Sequence, residues 1–256
     1  MKKIAFFGVI FLSFLALVQA AESRETLTLP AGGLKALAID CGAGYLKVRG
    51  QEGLESIEVA ATLRVSGANE AELREFRKER VTLKIEKAGV NAVLAARIDD
   101  SFDLSKLFGG RDAVIDLDVR VPRRLDLDIE DGSGDAEIRD IDGRLDLEDG
   151  SGDARMADIR GDAVIEDGSG DLFLERMGGR VKIDDGSGDI ELKDAGGAVA
   201  IEDGSGSIDL RGVAGPVSVD DGSGDIVIDG VEKDVTIEEA GSGGLEIRNV
   251  KGKVRK

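Results

Sequence analysis

The chain has 256 residues, 52 of them acidic against 34 basic, for a net charge of −18, with no histidine, no tryptophan, one cysteine and one tyrosine. That acidity excludes a protein built to hold nucleic-acid backbones, whose affinity comes from lysine and arginine. The lone cysteine excludes an intramolecular disulfide, and without histidine a serine or cysteine nucleophile lacks its usual base.

Taken in chain order, the first segment is Met1-Lys2-Lys3, an apolar run from Ile4 to Val18, then Gln19-Ala20-Ala21. A basic start, a short apolar core and small residues at the cut predict a secretory signal peptide over 1–20, cleaved after Ala20. The run is short for a membrane span and no second one follows, so the expected mature chain has no transmembrane segment. Export places it in the periplasm or outside the cell.

Residues 21–124 predict an irregular, β-rich capping region with one short helix. Within it, Ala38 to Val48 aligns with Lys182 to Leu192 of the later repeats and reads as a divergent rung, with Cys41 where Asp185 stands. A strand is expected at Ser56 to Val65 and a polar helix at Asn69 to Arg80, capped by Asn69 or Ser66. Strands then follow at Val81 to Glu86, Asn91 to Ile98 and Ala113 to Val121. The stretch Ser101 to Arg111 reads as a loop, and Pro122 ends the last strand.

From Leu125 the chain becomes regular. Asp-Gly-Ser-Gly recurs at Asp131, Asp149, Asp167, Asp185, Asp203 and Asp221, always 18 residues on, with a degenerate copy at Glu239 where Ala240 interrupts the motif. Linkers tolerate changes of length, so a fixed period means that each copy stacks on the next. Apolar residues alternate within each half-repeat, as in Val181 and Ile183, then Ile190 and Leu192, the mark of strands with one buried face. The second turn of each unit carries the glycine column Gly143, Gly161, Gly179, Gly197 and Gly215, read here as supplying positive φ. The predicted fold is all-β: one continuous domain from about residue 34, with a parallel β-solenoid (β-helix) of 18-residue rungs over 125–256. About seven rungs at about 4.8 Å give a rod roughly 30–35 Å long.

At Val121-Pro122-Arg123-Arg124-Leu125-Asp126-Leu127-Asp128-Ile129, leading into Gly132-Ser133-Gly134-Asp135, the chain resembles a known family. This is the bacterial extracytoplasmic "putative adhesin" group of DUF4097-like β-strand-repeat proteins. The likeness lies in a leading strand region, a Val-Pro element and repeated Ser-Gly-Asp turns followed by an apolar pair, over roughly Leu34 to Val254. It implies a structural or binding role at the cell envelope and carries over no catalytic residues. The chain departs from the family pattern in its uniformly acidic turns.

Three carboxylate columns form the one candidate constellation. Glu130, Glu148, Glu166, Asp184, Glu202, Asp220 and Glu238 make the first, Asp131 to Asp221 the second, and Asp135, Asp153, Asp171, Asp189 and Asp225, interrupted by Ser207, the third. Oxygen-rich glycine turns are also found in calcium-binding nonapeptide repeats, but here the spacing of Asp after Gly differs and the second turn has no matching motif. The preferred reading is that the Asp185 type caps turn amides and the outer carboxylates are solvated. No catalytic, cofactor or metal residue is assigned, and Cys41 reads as a structural thiol. The basic end, Arg248 to Lys256, reads as a cover for the last rung, with Val250 and Val254 in the apolar register. The expected function is that of an exported, non-catalytic envelope module with a protein or glycan partner. The alternatives are a polysaccharide-acting β-helix enzyme, because that fold also hosts lyases and hydrolases, and a calcium-binding repeat protein.

Overall fold

The computed structural model describes residues 21–99 and 112–256; the expected signal peptide and the expected loop at Ser101 to Arg111 lie outside them. The chain runs through β1 (Ala21–Pro30), β2 (Ala36–Ala43), β3 (Leu46–Gln51), β4 (Ser56–Val65), α1 (Glu70–Arg80), β5 (Val81–Ala88), β6 (Asn91–Ile98) and β7 (Ala113–Pro122). Strand pairs then follow: β8 (Asp126–Ser133) and β9 (Ala136–Ile141), β10 (Leu145–Asp149) and β11 (Ala154–Ile159), β12 (Ala163–Asp167) and β13 (Leu172–Met177). The series continues with β14 (Val181–Asp185), β15 (Ile190–Ala195), β16 (Val199–Asp203), β17 (Ile208–Val213), β18 (Val217–Asp221), β19 (Ile226–Val231), β20 (Val235–Ala240), β21 (Leu245–Val250) and β22 (Val254–Arg255).

Each unit puts its first strand in one sheet and its second in the other, and like stacks on like. β14 lies parallel to β12 with Ile183 on Ile165, and β15 parallel to β13 with Ile190 on Leu172. The result is a parallel β-solenoid with two facing sheets of 11 strands each. Val181, Ile183, Ile190 and Leu192 all point inward and are at most 2 % exposed. Each such side chain contributes about 1.5–3 kcal/mol by leaving water, so the stacked columns, rather than any single unit, hold the rod together.

The N-terminal region is stacked on the same core. The divergent rung predicted at Ala38 to Val48 is β2–β3, and it sits directly against the first regular rung, with Cys41 opposite Asp131 and Val48 opposite Ile138. Beyond it lie β6 and β7, parallel to β2 and β3, then β5 and β4, which run antiparallel, and finally β1, antiparallel to β4. The chain thus travels outward to the end of the stack and returns before the repeats begin. α1 closes that end, burying Leu73 and Phe76. Its cap is Asn69, whose side chain accepts from the Ala71 and Glu72 amides while Glu72 accepts from the Asn69 amide. This reciprocal box satisfies amides that the first helical turn would leave orphaned. One apolar core runs from Ala31 to Ile237. Among the described residues, no helix is long and apolar enough to cross a membrane.

Two expectations need correction. The glycines Gly143 to Gly215 do not have positive φ; they are required because a Cβ there would lie 2.1–2.4 Å from a carbonyl oxygen of the rung below. The left-handed residues at that corner are instead Asp140, Asp158, Arg176 and Asp194, followed by Gly212, Gly230 and Asn249. The last acidic turn also shifts register, so that Glu239 rather than Glu238 stands opposite Asp220, and Ala240 opposite Asp221. With Ala240 at the inward position, the open end of the stack buries no further charge there.

Candidate functional site

Parity along the strand decides where each carboxylate goes. In Leu145-Asp146-Leu147-Glu148-Asp149, alternate residues face the core, so Asp149 follows Leu145 and Leu147 inward while Glu148 faces out. The same holds in each regular unit. Asp131, Asp149, Asp167, Asp185, Asp203 and Asp221 are 0–6 % exposed, and they are the buried charged residues of the described chain. The turn-capping role expected for them is present: Oδ1 of Asp149, Asp167, Asp185, Asp203 and Asp221 accepts the amide of the serine two residues on, at 3.0–3.2 Å. Their burial was not foreseen. Oδ2 of all six, and Oδ1 of Asp131, are inaccessible to water and have no hydrogen-bond partner.

Loss of hydration raises these carboxyls, because burial disfavours the charged form. Asp131, Asp167 and Asp203 are pushed up to about 6, mainly by burial. Asp149 and Asp185 rise to about 7, where the carboxylates one rung above and below add to the burial. Asp221 is raised too, again chiefly by burial. At its first end the column continues into Cys41 and then Ala96, and at its last end into Ala240. The Cys41 sulfur is 3.6 Å from the Glu130 carbonyl oxygen, and burial together with Asp131 drives its pKa far up, so it stays a thiol.

The other two columns behave differently. Glu130, Glu148, Glu166, Asp184, Glu202 and Asp220 are exposed and stacked in register along one face. The third column caps amides between rungs: Asp135 accepts from the Asp153 amide, Asp153 from Asp171, Asp171 from Asp189, and Asp189 from Ser207, at 2.8–3.2 Å. Sequence reasoning missed an equivalent device at the opposite corner, where Asp126, Asp162 and Asp234 accept amides of Arg144, Arg180 and Lys253 at 2.8–2.9 Å. Its signal was an Asp placed just before the first inward apolar residue of the unit, as before Leu127, Ala163 and Val235.

A groove of about 920 Å³ follows the first turns from Asp40 and Cys41 past Glu130, Glu148 and Glu166 to Asp184. Arg97 is the one cation among its described lining residues, and it is paired with Asp40 and with Glu130. Among the described residues no cluster of Asp, Glu and Cys is arranged to hold a metal ion. Solvated outer columns have a thermal signature. Sodium chloride should raise the melting temperature modestly by screening, and calcium should do no more than magnesium at equal ionic strength. A calcium-specific rise in calorimetry would show a site instead, through linkage to the folded state.

The family model described as Toastrack DUF4097 matches residues 46–255. No curated protein matches the chain. Among solved structures, one described as a "putative adhesin" from Parabacteroides distasonis ATCC 8503 is 8 % identical with a TM-score of 0.50, covering 93 % of this chain and 98 % of that one. This likeness supports the fold alone. A "putative adhesin" from Bacteroides fragilis NCTC 9343 is 11 % identical with a TM-score of 0.47, over 91 % and 96 % of the two chains. A "putative lipid binding protein" from Parabacteroides distasonis ATCC 8503 is 12 % identical with a TM-score of 0.43, over 91 % and 97 %.

Proposed function

The chain belongs to the Toastrack DUF4097 family, and from that membership and its geometry we propose that it is an exported, non-catalytic binding module of the cell envelope. Residues 1–20 are its export signal, cut after Ala20, and the mature protein works in the periplasm or outside the cell. Residues 21–124 act as the cap and 125–256 as the working rod. The observation that carries this reading is the exposed column Glu130 to Asp220, which repeats one carboxylate per rung on a single face. A catalytic site is an asymmetric cluster of unlike groups, whereas a ladder of like groups is a polyvalent contact surface. Cys41, the lone cysteine, is held as a thiol by burial and by Asp131 beside it. The partner is an envelope protein or glycan that presents positive or hydrogen-donating groups.

The test is retention on envelope fractions. The mature protein, with an intact mass starting at Ala21, should capture an envelope component, and Glu148→Lys with Glu166→Lys should abolish capture while leaving the fold intact. A cytoplasmic protein that keeps Met1, or capture indifferent to those charges, contradicts the proposal.

A further inference from the structure

The inner aspartates are unused by the proposed surface, and their geometry is that of a different kind of site. Each Oδ2 from Asp131 to Asp221 is buried beyond the reach of water and lacks a partner. Water does not reach these oxygens, and a proton is a ligand that needs no room beside them. Every group that faces the column sharpens this. From the adjoining strands β8, β10, β12, β14, β16 and β18 come further members of the column itself. Its carboxylate neighbours include Asp135, Asp153, Asp171 and Asp189 of the third column and Asp220 of the outer one. At the ends stand Cys41 from β2 and Ala240 from β20. Arg97, the cation nearest the first end of the groove, is engaged by Asp40 and Glu130. The column therefore has no counter-charge among the described residues.

We propose that the inner column, Asp131 to Asp221, is a proton-binding ladder, taking up protons as the solenoid folds and holding them between rungs. A proton on Oδ2 turns an orphan acceptor into a donor, and the carboxyl one rung away is the acceptor that the register supplies. In the five from Asp149 to Asp221, Oδ1 keeps its serine amide in either state, so protonation there leaves the turn intact. The raised values of about 6 to 7 agree with this placement. An unfolded aspartate titrates near 3.9. Because the folded values lie higher, the ladder's contribution is fully present below the unfolded value and is lost as pH rises through about 6 to 7. The rod is then loosest in alkaline surroundings, and acidification tightens it.

Infrared spectroscopy of the whole mature protein at about pH 6 should show a protonated-carboxyl band that vanishes on unfolding. Calorimetric refolding in buffers of different ionisation heat should register proton uptake. Asp167→Asn with Asp185→Asn should remove roughly a third of both signals, and the outer pair Glu166→Gln with Asp184→Asn should leave them unchanged. Absence of the band and of proton uptake in the unmodified protein overturns the ladder, even if the variants fail to fold. So does an outer pair that lowers both signals as much as the inner pair.

Discussion

Ile183→Asp should leave the rod largely unfolded under conditions where the parent is stable. Ile183 is fully buried and stacked between Ile165 and Ile201, so the substitution removes about 1.5–3 kcal/mol of apolar burial and inserts a charge with no partner. A combined cost of about 5 kcal/mol or more is comparable with the whole stability of an ordinary domain. The effect should spread, because the rungs on either side lose their stacking surface as well. Urea unfolding followed by circular dichroism measures it. Lys182→Thr, one residue away on the exposed face, should stay within about 0.5 kcal/mol of the parent. An equal loss from both variants would mean that the strand does not have one buried face.

The second large effect is expected at Gly188, where two demands coincide. Its φ of +144° is one that L side chains rarely adopt, and a Cβ would lie 1.7 Å from the Gly170 carbonyl oxygen of the rung below. Gly188→Ala should therefore cost about 2–5 kcal/mol, from backbone strain and from forcing two rungs apart. Gly230 separates the two causes. Its φ is +78°, but the nearest atom to a Cβ there is 3.5 Å away, so Gly230→Ala should carry the conformational cost alone, about 1–2 kcal/mol. If the two alanines cost the same in urea titrations, close stacking is not what reserves the Asp-Gly-Ser-Gly turn for glycine.

Much of this was legible before any coordinates, because the repeat is an arithmetic constraint. A period of 18 with alternating apolar residues leaves few arrangements other than stacked rungs, and the Cys41 rung could be found by laying it against Lys182 to Leu192. The inward position of Asp185 was not foreseen, although parity, two residues after Ile183, was there to show it. The sequence reading stopped at turn chemistry, which explains Asp before Gly without asking which way the side chain points. The order of the N-terminal strands was hidden for a physical reason: β7 returns beside β3, and β1 pairs with β4 at the end of the same sheet, and such long-range partners leave no local pattern. β1 itself was not foreseen, and it lies at the edge of its sheet. The second-turn glycines were misassigned because a turn glycine has two possible reasons, φ or close approach, and the sequence alone does not separate them. The slip at Glu238 is of the same kind, since a one-residue insertion can be absorbed at either of two neighbouring positions.

The register of the outer column tests the central claim, that like residues stack one rung apart. Stacked residues in neighbouring strands are within disulfide reach, with Cα atoms about 4.4–6.8 Å apart, whereas a two-rung separation of about 9.6 Å is beyond it. In a Cys41→Ala background, Glu166→Cys with Asp184→Cys should oxidise rapidly to an intramolecular disulfide without loss of structure, because these positions lie opposite one another. Glu166→Cys with Glu202→Cys, two rungs apart, should stay reduced. Closure of the second pair, or failure of the first to close while the protein remains folded, would contradict the stacked ladder.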